Sequence, residues 1–138
     1  MLRCKAYHTL AGILLKVSMR GWSLPFSILN VYGPYLHRDT FWNVVASGGL
    51  LSTPNLILAG DLNFTLSASE IWGAKAIVDP LGPTLSTLFS AHHLVDIAPS
   101  CAGPTWRNGR AGEAGISKRL DRFLLSDHLI SCLPHHRV

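Results

Sequence analysis

Residues 56–65 read Leu-Ile-Leu-Ala-Gly-Asp-Leu-Asn-Phe-Thr, and no other stretch limits the fold so tightly. An unbroken apolar run of this length suits a strand covered on both faces. Gly60 ends the run and leaves Asp61 and Asn63 two residues apart. Side chains alternate along extended chain, so both point the same way where the strand stops. A carboxylate and an amide placed so can hold a water and an anionic oxygen together. The plainer alternative is a Gly-Asp turn after an ordinary core strand.

Strand and helix patterns alternate around this run. Residues 13–19 are apolar and β-branched, Arg20-Gly21-Trp22-Ser23 is a turn signal, and residues 24–32 read as a second strand. Together they predict an antiparallel hairpin, stopped by Gly33-Pro34. Phe41, Val44, Val45 and Leu51 recur at helical spacing and predict a helix over 37–51, weakened by Gly48-Gly49. A third strand follows over 55–59, irregular chain over 66–82, a helix over 83–92 and a short strand over 94–97. Residues 99–117, broken by prolines and glycines, read as loop, with a strand start at Thr105-Trp106. A strand over 119–125 and a short helix over 127–133 complete the chain. No repeat or linker divides it, so residues 1–138 form one domain with a layered α/β architecture.

Charged residues make up 14% of the chain, against about 25% in typical soluble domains. That composition supplies more apolar surface than a free-standing domain of this size needs. The net charge of +4 is uneven. Basic residues dominate 1–40 and 101–138, and acids dominate 41–100, an arrangement suited to an anionic polymer lying across the centre. Ordinary surface charge is the alternative. Cys4, Cys101 and Cys132 show neither metal spacing nor a disulfide framework, which points to a reduced, intracellular setting. The pairs His92-His93 and His135-His136 lack a Cys or Glu at ligand spacing, so no zinc site is expected. No secretory leader is expected either. Residues 40–60 are uncharged, but Asn43, Gly48, Gly49, Pro54 and Asn55 break them, so no membrane span is read there. Asn63-Phe64-Thr65 spells a glycosylation sequon and is read as accidental.

Four landmarks fall in order. Asn30-Val31-Tyr32-Gly33-Pro34 ends one strand and Gly60-Asp61-Leu62-Asn63 the next; Pro104-Thr105-Trp106 and the run from Arg119 through Asp121 and Arg122 to Ser126 follow. Their order and spelling resemble the endonuclease/exonuclease/phosphatase superfamily, and within it the endonuclease domain of LINE-type non-LTR retrotransposons. Residues 63–73, which include Glu70, Trp72 and Gly73, look like its plant members. The resemblance covers residues from about 10 to 134. It implies a DNase I-like four-layered α/β sandwich, Mg²⁺-assisted hydrolysis of DNA phosphodiesters and a nuclear place of work. Nothing in the sequence points to an obligate protein partner.

By position, the resemblance makes Asp61 the group that orients and deprotonates the attacking water. Asn63 would hydrogen-bond the nucleophile or the phosphate, and Tyr32 would steady developing charge. Asn30 and Thr105 would line the phosphate site, and Asp121 would orient a catalytic histidine. Arg107, Arg110, Lys118, Arg119 and Arg122 would meet the DNA backbone. These residue types suit the chemistry, since amide and hydroxyl groups donate to phosphate oxygens without adding negative charge. Packing of Tyr32 on Pro34, or pairing of Asp121 with Arg119 or Arg122, are the structural alternatives.

The resemblance also calls for an Asn and a metal-binding Glu on earlier strands and a closing Ser-Asp-His-x-Pro. No Asp or Glu precedes Asp39. Ser126-Asp127-His128 spells most of the closing motif, but His128 lies seven residues beyond Asp121, about 23 Å in extended chain. Residues 126–133 are therefore expected to be an intervening helix. On this reading the chain is the middle of the domain with edge strands missing, its metal ligand set is incomplete, and it is inactive alone.

Overall fold

The computed structural model describes residues 1–75, 77–101 and 103–133. The apolar run forms β4 (Leu56–Asp61), in the interior of a six-stranded mixed sheet. On one side of it lie β3 (Trp22–Val31), β2 (Gly12–Met19) and β1 (Leu2–His8); on the other lie β9 (Asp121–Ser126) and β6 (Leu94–Asp96). β3 and β4 are parallel, joined through α1 (Arg38–Ser47), and every other neighbouring pair in this sheet is antiparallel.

Helices cover one face of the sheet. Trp42 and Val45 of α1, and Leu85 and Phe89 of α2 (Gly82–Ala91), pack on Leu14, Leu29, Leu58 and Leu124. Trp42 stands edge-on to Phe41, Phe64 and Phe89, with ring centroids 5.2–5.6 Å apart. Full burial of each such side chain contributes about 1.5–3 kcal/mol. A small second sheet pairs β5 (Ile71–Trp72) with β8 (Ser117–Lys118) and β8 with β7 (Trp106–Arg107). The mixed sheet with flanking helices is the expected α/β class.

Two glycines bring the ends of β3 and β4 together. Gly60 has φ +133°, and a Cβ there would sit 2.1 Å from the Val31 carbonyl oxygen. A Cβ on Gly33 would meet the Leu62 carbonyl oxygen at 2.3 Å, and the Gly33 N–H donates to the Asp61 carbonyl at 2.6 Å. Only residues without a side chain allow this approach, and it seats Tyr32 near Asp61.

The predicted hairpin, the strand over 55–59, the helix over 83–92 and the short final helix, α3 (Asp127–Ser131), are all present. β1 is a strand that periodicity did not predict, and every residue in it is exposed. Pairing with β2 makes it a strand, from Leu2 opposite Met19 to His8 opposite Ile13. The helix predicted over 37–51 stops at Ser47, where Gly48 and left-handed Gly49 break it, and a 3₁₀ turn, Leu50–Ser52, follows. His135 and His136 lie outside the described residues. No helix among the described residues is long and apolar enough to cross a membrane.

Candidate active site

A cleft of about 550 Å³ opens where β3 and β4 end. Tyr32, Asp61 and Asn63 line it together with Arg38, Asp79, Trp106 and Lys118. Asp61 Oδ1 accepts the Asn63 backbone N–H at 3.0 Å. This Asx turn holds Asn63 at φ +55°, a conformation asparagine tolerates. Asn63 Nδ2 donates to the Gly33 carbonyl at 2.5 Å. One amide N–H therefore braces the loop, and the second N–H and the amide oxygen are what Asn63 offers a ligand.

An ion pair that sequence reading missed supports the loop. Arg38 donates to the Asn63 carbonyl at 2.7 Å and grips Asp79 through two bonds of 2.5 and 3.0 Å. Burial pushes the Asp79 carboxyl up, but bonds from Arg38 and from the Leu81 N–H outweigh it and hold the carboxyl below its ordinary value. Arg38 and Asp79 are far apart in sequence, so no local spacing signals the pair. Tyr35, an exposed aromatic lining the cleft, carried no spacing signal either, and Trp106, which belongs to the third landmark, was assigned no role.

The other residues predicted for catalysis and phosphate binding, Asp121, Thr105 and Asn30, do not line the cleft. Asp121 is the register partner of Asp61 across β4 and β9. Thr105 Oγ1 accepts the Leu120 and Asp121 backbone N–H groups at 2.9 and 3.0 Å, so its hydroxyl anchors the start of β9 and keeps its proton for another acceptor. Asn30 lies on β3 two residues before Tyr32, paired with Ile13 and Ala59. His128 stands at the other end of the sheet, its ring 2.8 Å from the side chain of Asn55, which precedes β4. It lies in α3, capped by Ser126, so the Ser-Asp-His spelling does not enter the cleft.

Two of the five DNA-binding assignments require correction. Arg107 and Arg110 are exposed and Lys118 lines the cleft, but Arg119 and Arg122 are 4% and 1% exposed. Both guanidinium groups pair with Glu70 and Asp96. Burying cations demands such partners, and here the partners occupy the groups a phosphate would need. Burial pushes the Glu70 carboxyl up, but Arg122, the Leu66 N–H and Arg119 together bring it below its ordinary value. Hydrogen bonds donated to the Asp96 carboxylate raise Arg119 further, against the opposing effect of burial. Asp121 is in none of these pairs.

Of the two carboxylates that line the cleft, Asp79 is paired with Arg38, which leaves Asp61 as the one that would hold a Mg²⁺ ion. Among the described residues no three His, Cys, Asp or Glu side chains gather in one place. Octahedral Mg²⁺ takes six oxygen ligands, and Asp61 already spends one oxygen on the Asn63 N–H.

No family model matches the sequence, and no curated protein matches it significantly. Solved structures do match. The endonuclease domain of TRAS1, a telomere-specific non-LTR retrotransposon, superposes with a TM-score of 0.67 at 18% identity, over 94% of this chain and 58% of that one. The 3′ phosphatase NExo from Neisseria, bound to product DNA hairpin, gives 0.62 at 13% identity, over 94% and 59%. The 3′-5′ exonuclease NExo from Neisseria meningitidis gives 0.62 at 14%, over the same shares. The fold is therefore shared with these nucleases. The chain spans a little under three fifths of the length of these neighbours.

Proposed function

We propose that the cleft is the phosphodiester site of a retrotransposon-type DNA endonuclease, and that the 138-residue chain holds only part of the machinery and does not cleave alone. The observation that carries this reading is the meeting of Tyr32, Asp61 and Asn63 in one cleft of a nuclease fold. Asp61 holds and deprotonates a water, while Asn63 and Tyr32 donate to the phosphate. Lys118, Arg107 and Arg110 attract the DNA backbone. A full Mg²⁺ ligand set needs acids beyond those gathered here, and a nuclear place of work follows from the substrate.

A second reading, binding of nucleic acid without cleavage, is favoured by the exposed aromatic and basic wall of Tyr35, Trp106 and Lys118. Incubation of the purified chain with supercoiled plasmid and Mg²⁺ separates the two from the intact enzyme. No nicking is expected, together with DNA binding that weakens steeply as salt rises. Nicking that disappears in Asp61→Ala would show that the chain is active alone. Absence of any salt-dependent binding would remove both readings.

A further inference from the structure

A second cleft, of about 470 Å³, lies at the other end of the sheet. Arg3, Lys5, Lys16, Ser27 and Asn55 are among the residues that line it. Lys5 and Lys16 are direct partners across β1 and β2, and Ser27 is the partner of Lys16 on β3. Leu14, two residues before Lys16, is packed in the core beneath the helices, so these side chains stand on the helix-covered side of the sheet. A four-layered sandwich sets its second sheet against the opposite face, so this cleft stays on the outside of the domain. Asn55 precedes β4 and Asp61 ends it, six residues or about 20 Å further on. The two clefts are therefore separate.

Three observations point to an anion here. First, among the described residues no carboxylate pairs with Arg3, Lys5 or Lys16. Lys16 Nζ lies 5.6 Å from the centroid of the Tyr7 ring. Like charges directly opposite on neighbouring strands are destabilising, and no acid lines the cleft to offset them. Second, Ser27 is 6% exposed, and its hydroxyl has no hydrogen-bond partner among the described residues. A hydroxyl buried without a bond costs free energy that a ligand oxygen would recover. Third, the Asn55 side chain is already fixed. Its Nδ2 donates to the Pro25 carbonyl at 2.8 Å, and its Oδ1 lies 2.8 Å from His128 Nδ1, which leaves one amide N–H for a ligand.

We propose that this cleft binds a phosphate ligand bearing two or more negative charges. Arg3, Lys5 and Lys16 balance the charge, while the Ser27 hydroxyl and the Asn55 N–H donate to phosphate oxygens. A single carboxylate would leave two of the three cations unmatched. The phosphates come either from a free oligophosphate, such as that of a nucleotide, or from consecutive positions along a nucleic-acid strand. A cleft of this size, with a few placed polar groups, is within the range of small-ligand sites. This inference rests on the second cleft and not on the nuclease reading.

Calorimetric titration of the full chain with pyrophosphate, at fixed chloride concentration, tests it. One pyrophosphate per chain is expected, and it should raise the melting temperature. Lys5→Ala and Lys16→Ala, both at exposed positions, should each weaken binding about tenfold. Ser27→Ala should weaken it as well, with no loss of melting temperature in the free chain, because the hydroxyl bonds nothing there. Lys118→Ala, in the first cleft, should bind pyrophosphate as the wild type does. No binding, several weakly held ions per chain, binding unchanged by the three substitutions, or binding lost in Lys118→Ala would each overturn the proposal. A single-stranded oligonucleotide without terminal phosphates separates the two sources. If it competes with pyrophosphate in the wild type, the site takes a strand's backbone; if it does not, the site takes a free phosphate.

Discussion

Asp121 and Arg122 are adjacent on β9, yet they belong to two unlike regions. Asp121 is exposed beside the cleft, opposite Asp61. Arg122 points to the other side of the strand, 1% exposed, into the cluster it shares with Arg119, Glu70 and Asp96. Both regions are built from carboxylates, cations and backbone amides. In the cluster, every charge has an opposite charge in contact, so it is closed and structural. In the cleft, Lys118 and the free oxygen of Asp61 face solvent, so it can take a ligand. Charge of itself does not mark a binding site; charge left without a partner does.

The largest expected effect comes from opening the cluster. Glu70→Gln leaves Arg122 buried with one carboxylate fewer, at a cost of about 3–5 kcal/mol, which urea denaturation would measure. DNA binding by the remaining folded fraction should not change. If Glu70→Gln reduces binding per folded molecule, the cluster is not merely structural and the contrast fails.

Gly60→Ala strikes the backbone that shapes the cleft. The strained φ and the clash with Val31 should cost about 1–3 kcal/mol or more and lower the melting temperature. An alanine variant as stable as wild type would show that β3 and β4 need not approach so closely.

Acid should weaken both regions, by a smaller amount. Glu70 and Asp79 lie below their ordinary values of 4.5 and 3.8 in the folded chain. Their stabilisation is complete above those values and is lost as pH falls through the lowered ones. Melting temperature should therefore drop only below about pH 4.5, and Glu70→Gln should reduce that drop.

Lys118→Ala should have the smallest effect, with stability unchanged. Affinity for DNA should fall slightly, and the slope of log affinity against log salt should shrink by about one. An unchanged slope would take Lys118 out of contact with phosphate.

Much of this fold can be read directly in the chain. Apolar, β-branched runs bounded by turn signals mark β2, β3 and β4, and helical spacing marks α2, because each buries residues in the core. The Asp61–Asn63 pair is legible as spelling, but an Asx turn with Asn63 at φ +55°, not strand alternation, places the two side chains. β1 was not legible, since its alternating basic residues resemble solvated chain until β2 supplies hydrogen bonds. The burial of Arg119 and Arg122 was not legible either. Local spelling places them beside Lys118 and says nothing of Glu70 and Asp96, which enter from other elements.

The sequence alone determined the central strands β2, β3, β4 and β9, the helix α2, where Gly60 interrupts the core, and that Asp61 and Asn63 follow one another out of β4. Backbone geometry and side-chain period act over a few residues, so those results need no knowledge of distant chain. Tertiary structure alone decided that Arg38 holds Asp79 at the cleft and that Lys118 lines it while Arg119 and Arg122 close on carboxylates. Whether a charge is desolvated or paired depends on atoms brought together from distant parts of the chain, and no local pattern carries that information.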